Sequence, residues 1–146
     1  MNKKFELLLD DTITIFGIKL FRIKALISFG NVEEGEVGGY VEKETNLSSY
    51  GNAWVYGNAR VYGNAEVSGD AWVSGDADYI VFKNNWSSGR YFTYTKSNKM
   101  WKVGCFYGTG QELIKKAYQD SEVSGKHYEA YVEFVEKLEK MEEAND

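Results

Sequence analysis

The chain has one cysteine, one histidine, no long apolar run and no basic excess, and each shortage removes a class of protein. A lone Cys105 cannot form an internal disulfide, so a reducing cytoplasm is the expected compartment. A single histidine, His127, cannot supply the several imidazole ligands of a zinc-dependent hydratase site. No stretch approaches the roughly 18–20 apolar residues that span a bilayer, so no membrane partner is expected. The opening MNKKFELLLDD is basic and then apolar, but Asp10 and Asp11 break the run and no small-residue cleavage site follows, which is not a signal peptide. A formal net charge of −5 without a basic stripe argues against a nucleic-acid partner. What remains is a folded chain of 146 residues, enough for one domain or two small modules, whose 43% apolar content excludes disorder as its main state.

What is abundant is a repeat. Residues 51–78 read GNAWVYGNARVYGNAEVSGDAWVSGDAD, a G-[ND]-A-x-V-x unit every six positions. Side chains alternate along an extended segment, so Ala53 and Val55 point one way and Trp54 and Tyr56 the other. A three-residue strand followed by a Gly-Asn or Gly-Asp corner suits backbone that must turn often, because these residues adopt left-handed conformations readily. Three such corners return the chain over itself after eighteen residues, which predicts a parallel β-helix of triangular section with Val55, Val61, Val67 and Val73 inside. On that stacking Trp54 and Trp72 lie outside on one face, beside Tyr56. So much outward apolar surface reads as a subunit interface, as cover by the C-terminal module, or as an aromatic clamp that stacks a nucleobase.

The unit resembles the hexapeptide repeat of left-handed β-helix proteins, a family best known for acyltransferases, over 51–80 and more faintly back through Leu47 and Val41 to Val37. The longer string GGYVEKETNLSSYGNAWVYGNARVYGNA also resembles short repeat proteins of bacteriophages and prophages. The first resemblance implies acyl-CoA held between coils and a histidine base on the β-helix. This chain departs on both points, with about two and a half coils over 37–81 and its histidine outside the repeat. No cofactor is expected, and a transferase is the third reading.

The expected organisation is therefore N-terminal strands over 1–36, a β-helix over 37–85, and a C-terminal strand-pair and two-helix module over 86–146. Residues 12–27 read as a hairpin around Gly17, and RYFTYT and MWKVGCFY as a strand pair joined by KSNK. Thr109 and Glu112 form a capping-box pair opening the first helix. A second helix over 126–143 carries Tyr128, Tyr131, Val132, Val135, Leu138 and Met141 at helical spacing. Strand alternation places Cys105 on a face with Trp101 and Val103, a packed core thiol rather than a nucleophile. The turn Gly108-Thr109-Gly110 offers N–H groups at a helix start, which either cap the helix alone or hold an anion with Tyr107, Lys102 and Arg90 around it.

Two functions follow as expectations. The first is a non-enzymatic, phage-type homotrimer that sequesters a nucleotide-like immune signal, a cyclic nucleotide or ADP-ribose-type molecule. Trp54, Tyr56 and Trp72 would take its base, and Arg90, Lys102, Tyr107 and Gly108–Gly110 its phosphates. The second is a trimerising scaffold whose C-terminal module binds a host protein, with the acidic helix EAYVEFVEKLEKMEEAND as the docking surface.

Overall fold

A computed structural model describes residues 2–144. Met1, Asn145 and Asp146, the outermost positions of the expected terminal segments, lie outside the described residues. An antiparallel hairpin of β1 (Phe5–Ile15) and β2 (Ile18–Ala25) opens the chain, with Phe16-Gly17 as its two-residue turn. β2 pairs antiparallel with β3 (Val37–Val41). The repeat then contributes β4 (Trp54–Val55), β5 (Arg60–Val61) and β6 (Trp72–Val73), each two residues long. β7 (Tyr79–Lys83), β8 (Tyr91–Thr95), β9 (Met100–Val103) and β10 (Phe106–Thr109) follow, then α1 (Gly110–Asp120) and α2 (Glu122–Ala144).

These strands form three separate sheets, ordered β1-β2-β3-β5, β10-β9-β8-β7 and β4-β6. The left-handed parallel β-helix expected over 37–85 is not formed. Parallel pairing is confined to Tyr40–Val41 against Arg60–Val61, Trp54–Val55 against Trp72–Val73, and a lone Leu47–Val67 bridge. Ladders of two residues in different sheets do not propagate into a solenoid wall, and the antiparallel hairpin β1–β2 completes the larger sheet instead. The C-terminal unit also differs: it carries a four-stranded antiparallel sheet, not a strand pair, because YIVFK at 79–83 joins RYFTYT as β7.

The six-residue period nonetheless selects the core. Ala53, Ala59, Ala65 and Ala71 are buried with Val55, Val61, Val67 and Val73, joined by Phe5, Ile23, Val41 and Leu47. Gly57, Gly63 and Gly69 turn the chain between them at φ of 59°, 67° and 63°, the left-handed region that glycine enters without steric cost. Trp54 departs from its expected place outside. It is fully buried, with Phe5 and Phe29 edge-on against its ring at 6.4 and 5.4 Å, while Trp72 is 50% exposed. The N-terminal segment thus covers what the repeat alone leaves open.

Two polar side chains fasten this half. Asn46 is wholly buried, donates through Nδ2 to the carbonyls of Gly63 and Ala65 at 3.2 and 2.9 Å, and accepts at Oδ1 from the amides of Glu42 and Lys43 at 3.2 and 3.0 Å. Lys4 is also buried and donates through Nζ to the carbonyls of Ser48 and Ala53 at 3.0 and 2.7 Å.

The second sheet is covered by the helices on one face. Phe92, Tyr94, Trp101 and Val103 pack with Leu113, Ala117, Tyr128, Val132 and Val135. The alternate residues of β8 meet the repeat: buried Thr93 accepts at Oγ1 from the Glu66 amide at 3.0 Å. Further bonds cross between the halves, from the Trp72 amide to Ser97 Oγ at 2.9 Å and from the Tyr79 hydroxyl to the Arg60 carbonyl at 2.9 Å.

Candidate functional site

The residues expected to share one site lie in several places. Trp54 sits in the first core, and Tyr56 is half-buried against that core. Tyr107 packs beside Gly69, its hydroxyl accepting from Asn98 Nδ2 at 2.8 Å and donating to the Ser68 carbonyl at 3.3 Å. Lys102 lines a groove with Tyr50 and Glu66. Gly108 is buried, and Gly110 faces Val132 and the Trp101 indole. Trp72 alone of the two tryptophans offers a ring to solvent, so a paired clamp is absent.

The helix start at Gly108–Gly110 is filled from within. Glu112 Oε1 accepts from the Thr109 amide at 2.8 Å, and Thr109 Oγ1 accepts from the Glu112 amide at 3.2 Å. This reciprocal box satisfies two of the donors at the helix start, and the Thr109 amide holds the Glu112 carboxyl below its usual range. An anion there would have to displace the chain's own carboxylate.

Arg90 stands elsewhere, at a cleft of about 520 Å³ where β7 and the β9–β10 turn meet the two helices. The chain leaves β7 through Asn84-Asn85-Trp86-Ser87-Ser88-Gly89, a turn-rich stretch that returns to β8, closed by the Asn84 amide donating to the Arg90 carbonyl at 2.9 Å. Gly104, at φ 57°, lets β9 turn into β10 beneath the guanidinium: a methyl group there would lie 2.9 Å from Arg90 Nη1. The same turn corrects the place of Cys105, which is exposed at the cleft and not packed with Trp101 and Val103, because the strand ends before it.

The wall holds unpaired polar atoms. Asn84 is buried and donates through Nδ2 to the Tyr128 hydroxyl at 3.0 Å, but its Oδ1 has no partner. Trp86 Nε1 is likewise buried and unpartnered. The Trp86 ring stacks on His127 at 4.3 Å and meets Tyr128 edge-on at 5.9 Å, while His127 Nδ1 engages the Val123 carbonyl at 2.8 Å. A donor and an acceptor left unbonded under a cleft cost free energy that a ligand or water can recover. Among the described residues Arg90 has no ion pair, whereas Lys116 across the cleft is neutralised by Asp120 at 3.1 Å. The arrangement can hold an anion at Arg90 and a polar or aromatic body against Trp86 and Phe106.

Sequence reasoning reached Arg90 but missed Asn84, Trp86 and Tyr128. The signal available was an aromatic residue inside the turn-rich KNNWSSGR. No family model matches the chain, and no curated protein matches it. Among the described residues no helix is long and apolar enough to cross a membrane.

Proposed function

We propose that the protein is a non-catalytic binding protein that holds a small organic anion in the Arg90 cleft and so removes it from solution. The observation that carries the reading is the uncompensated guanidinium beside a wall with an unbonded buried acceptor, Asn84 Oδ1, and donor, Trp86 Nε1. The volume, about 520 Å³, falls in the range of small-molecule sites. A nucleotide-like ligand suits this chemistry, with a phosphate for Arg90 and a base for the aromatic wall. The non-catalytic half rests on the small stock of acid–base groups, the sequence having a single histidine, His127, which stacks on Trp86. Calorimetry and native mass spectrometry against mononucleotides, cyclic dinucleotides and cyclic ADP-ribose isomers test the proposal. One class should bind, return unmodified, and lose affinity at least about tenfold, or 1.4 kcal/mol, in Arg90→Ala. Silence across the panel, or turnover of the bound molecule, overturns it.

Self-association belongs to the proposal on narrower ground than the repeat suggested. The half-exposed Trp72 is an apolar contact for a second copy. The expected homotrimer was tied to a β-helix that is not formed, so no stoichiometry belongs to the proposal.

A scaffold that docks a protein partner has its own observation. α2 carries seven Glu and three Lys over 122–144, and Phe134 and Met141 stand exposed among them. Loss of a stoichiometric partner from host lysate on Phe134→Glu would favour that reading over the cleft.

A further inference from the structure

A second cavity lies apart from the Arg90 cleft and shares no lining residue with it: a groove of about 480 Å³ between the repeat and the second sheet. Its floor is the buried Leu47, fixed by the Leu47–Val67 bridge and by the Ser48 amide donating to the Val67 carbonyl at 2.8 Å. One wall is the Ser48-Ser49-Tyr50 turn. Lys4 Nζ anchors it at the Ser48 carbonyl, and Ser48 Oγ accepts from the Tyr50 amide at 3.1 Å. The opposite wall carries Glu66, tied to β8 through Thr93, and Lys102 on β9. The groove is therefore built on fixed backbone.

Its lining is mostly polar, and it carries charges of both signs. Hydroxyls of Thr45, Ser48, Ser49 and Ser68 line it, with the carboxylates of Glu44 and Glu66 and the ammonium of Lys102. None of these three charges is in an ion pair among the described residues. Tyr50 stands at the rim, 83% exposed, an aromatic ring that contributes nothing to the core. An anion entering here meets two carboxylates, and a simple cation meets Lys102. A neutral ligand rich in hydroxyl groups satisfies both, donating to Glu44 and Glu66 and accepting from Lys102, through charge-assisted hydrogen bonds. The apolar C–H face of such a ring packs on an exposed aromatic side chain.

We infer that this groove is a binding site for a neutral saccharide, with Tyr50 as the stacking platform and Glu66 and Lys102 as its paired hydroxyl readers. The test is ligand-observed NMR on the full chain with glucose, galactose, mannose, N-acetylglucosamine and their β-linked and α-linked disaccharides, with inorganic phosphate and spermidine as charged controls. Saccharide binding in the millimolar range is expected, weakened at least about tenfold by Tyr50→Ala and by Glu66→Gln, with the melting temperature of Tyr50→Ala unchanged. Arg90→Ala should leave saccharide binding intact, which separates this site from the cleft. Silence across the saccharides, binding indifferent to Tyr50→Ala, or a preference for phosphate or spermidine overturns the inference.

Discussion

Trp54 and Trp72 stand opposite each other in register on adjacent parallel strands, yet one is wholly buried and the other half exposed. The difference lies in what covers them. Phe5 and Phe29, from the N-terminal segment, close over Trp54, and nothing among the described residues does the same for Trp72. Trp54→Ala should cost about 3–5 kcal/mol, the range for emptying a buried aromatic site, while Trp72→Ala should cost about 1 kcal/mol or less. Urea unfolding monitored by circular dichroism checks both. Equal costs would mean that the N-terminal segment does not pack on the repeat.

That pair shows what the sequence could reveal. The period of six fixed which Ala and Val side chains are inside, since alternation and size are local properties. It could not say that the other face of Trp54 is also covered, because Phe5 lies 49 residues away and belongs to no repeat. Alternation failed at Cys105 for a related reason: it assumes that a strand continues, and Gly104 ends this one. Arg90 was legible as a candidate anion ligand, though expected beside the Gly108–Gly110 turn and not at this cleft. Its neighbours in the cleft were not, since Asn84 meets Tyr128 only when α2 packs on the sheet. The capping box at Thr109 and Glu112 was legible entirely, because both partners sit within one turn.

The hairpin turn breaks a local rule. Phe16 takes φ 49° before Gly17 at φ 77°, a two-residue turn with positive φ at both positions, where Asn-Gly is favoured and a bulky residue is strained. Phe16 is also 93% exposed, so the strain is repaid by no packing within the chain. Phe16→Asn should raise stability by about 1 kcal/mol, a gain of roughly 2–4 °C in Tm for a chain of this size. Differential scanning calorimetry reads it; a lower Tm would show that the ring packs in solution.

Asn46 joins residues that no local ladder connects. Asn46→Ala strands the buried Ala65 carbonyl and the half-buried Gly63 carbonyl and removes the acceptor of the Lys43 amide, while the Glu42 amide keeps the Val61 carbonyl, which together should cost about 2–3 kcal/mol. Asn46→Asp keeps the acceptor for Glu42 and Lys43 but turns a carboxylate toward the Gly63 and Ala65 carbonyls, so it should be no better than alanine at neutral pH. Chemical denaturation of the three proteins tests the order; recovery of wild-type stability by Asp would show that the amide hydrogens carry nothing.

Lys4 makes stability depend on pH in a window where few groups act. Burial lowers its ammonium from the ordinary 10.5 to about 8, with no carboxylate beside it to compensate. Below about pH 8 both the folded and unfolded chains hold the proton, and the cost of burying the charge is constant. Between about 8 and 10.5 the unfolded chain keeps the proton that the folded chain has released, so stability due to Lys4 rises with pH. Burial acts oppositely on Tyr79, whose hydroxyl is pushed up to about 12, so this group lowers stability above its ordinary value of 10.0. The two are separated by subtraction. The stability of the wild type minus that of Lys4→Met, from urea midpoints at successive pH values, should climb from pH 8 to 10.5 and be level below 8. A difference that is level throughout would mean that the Lys4 ammonium reaches water and that its two carbonyl partners are held by the neutral and charged forms alike.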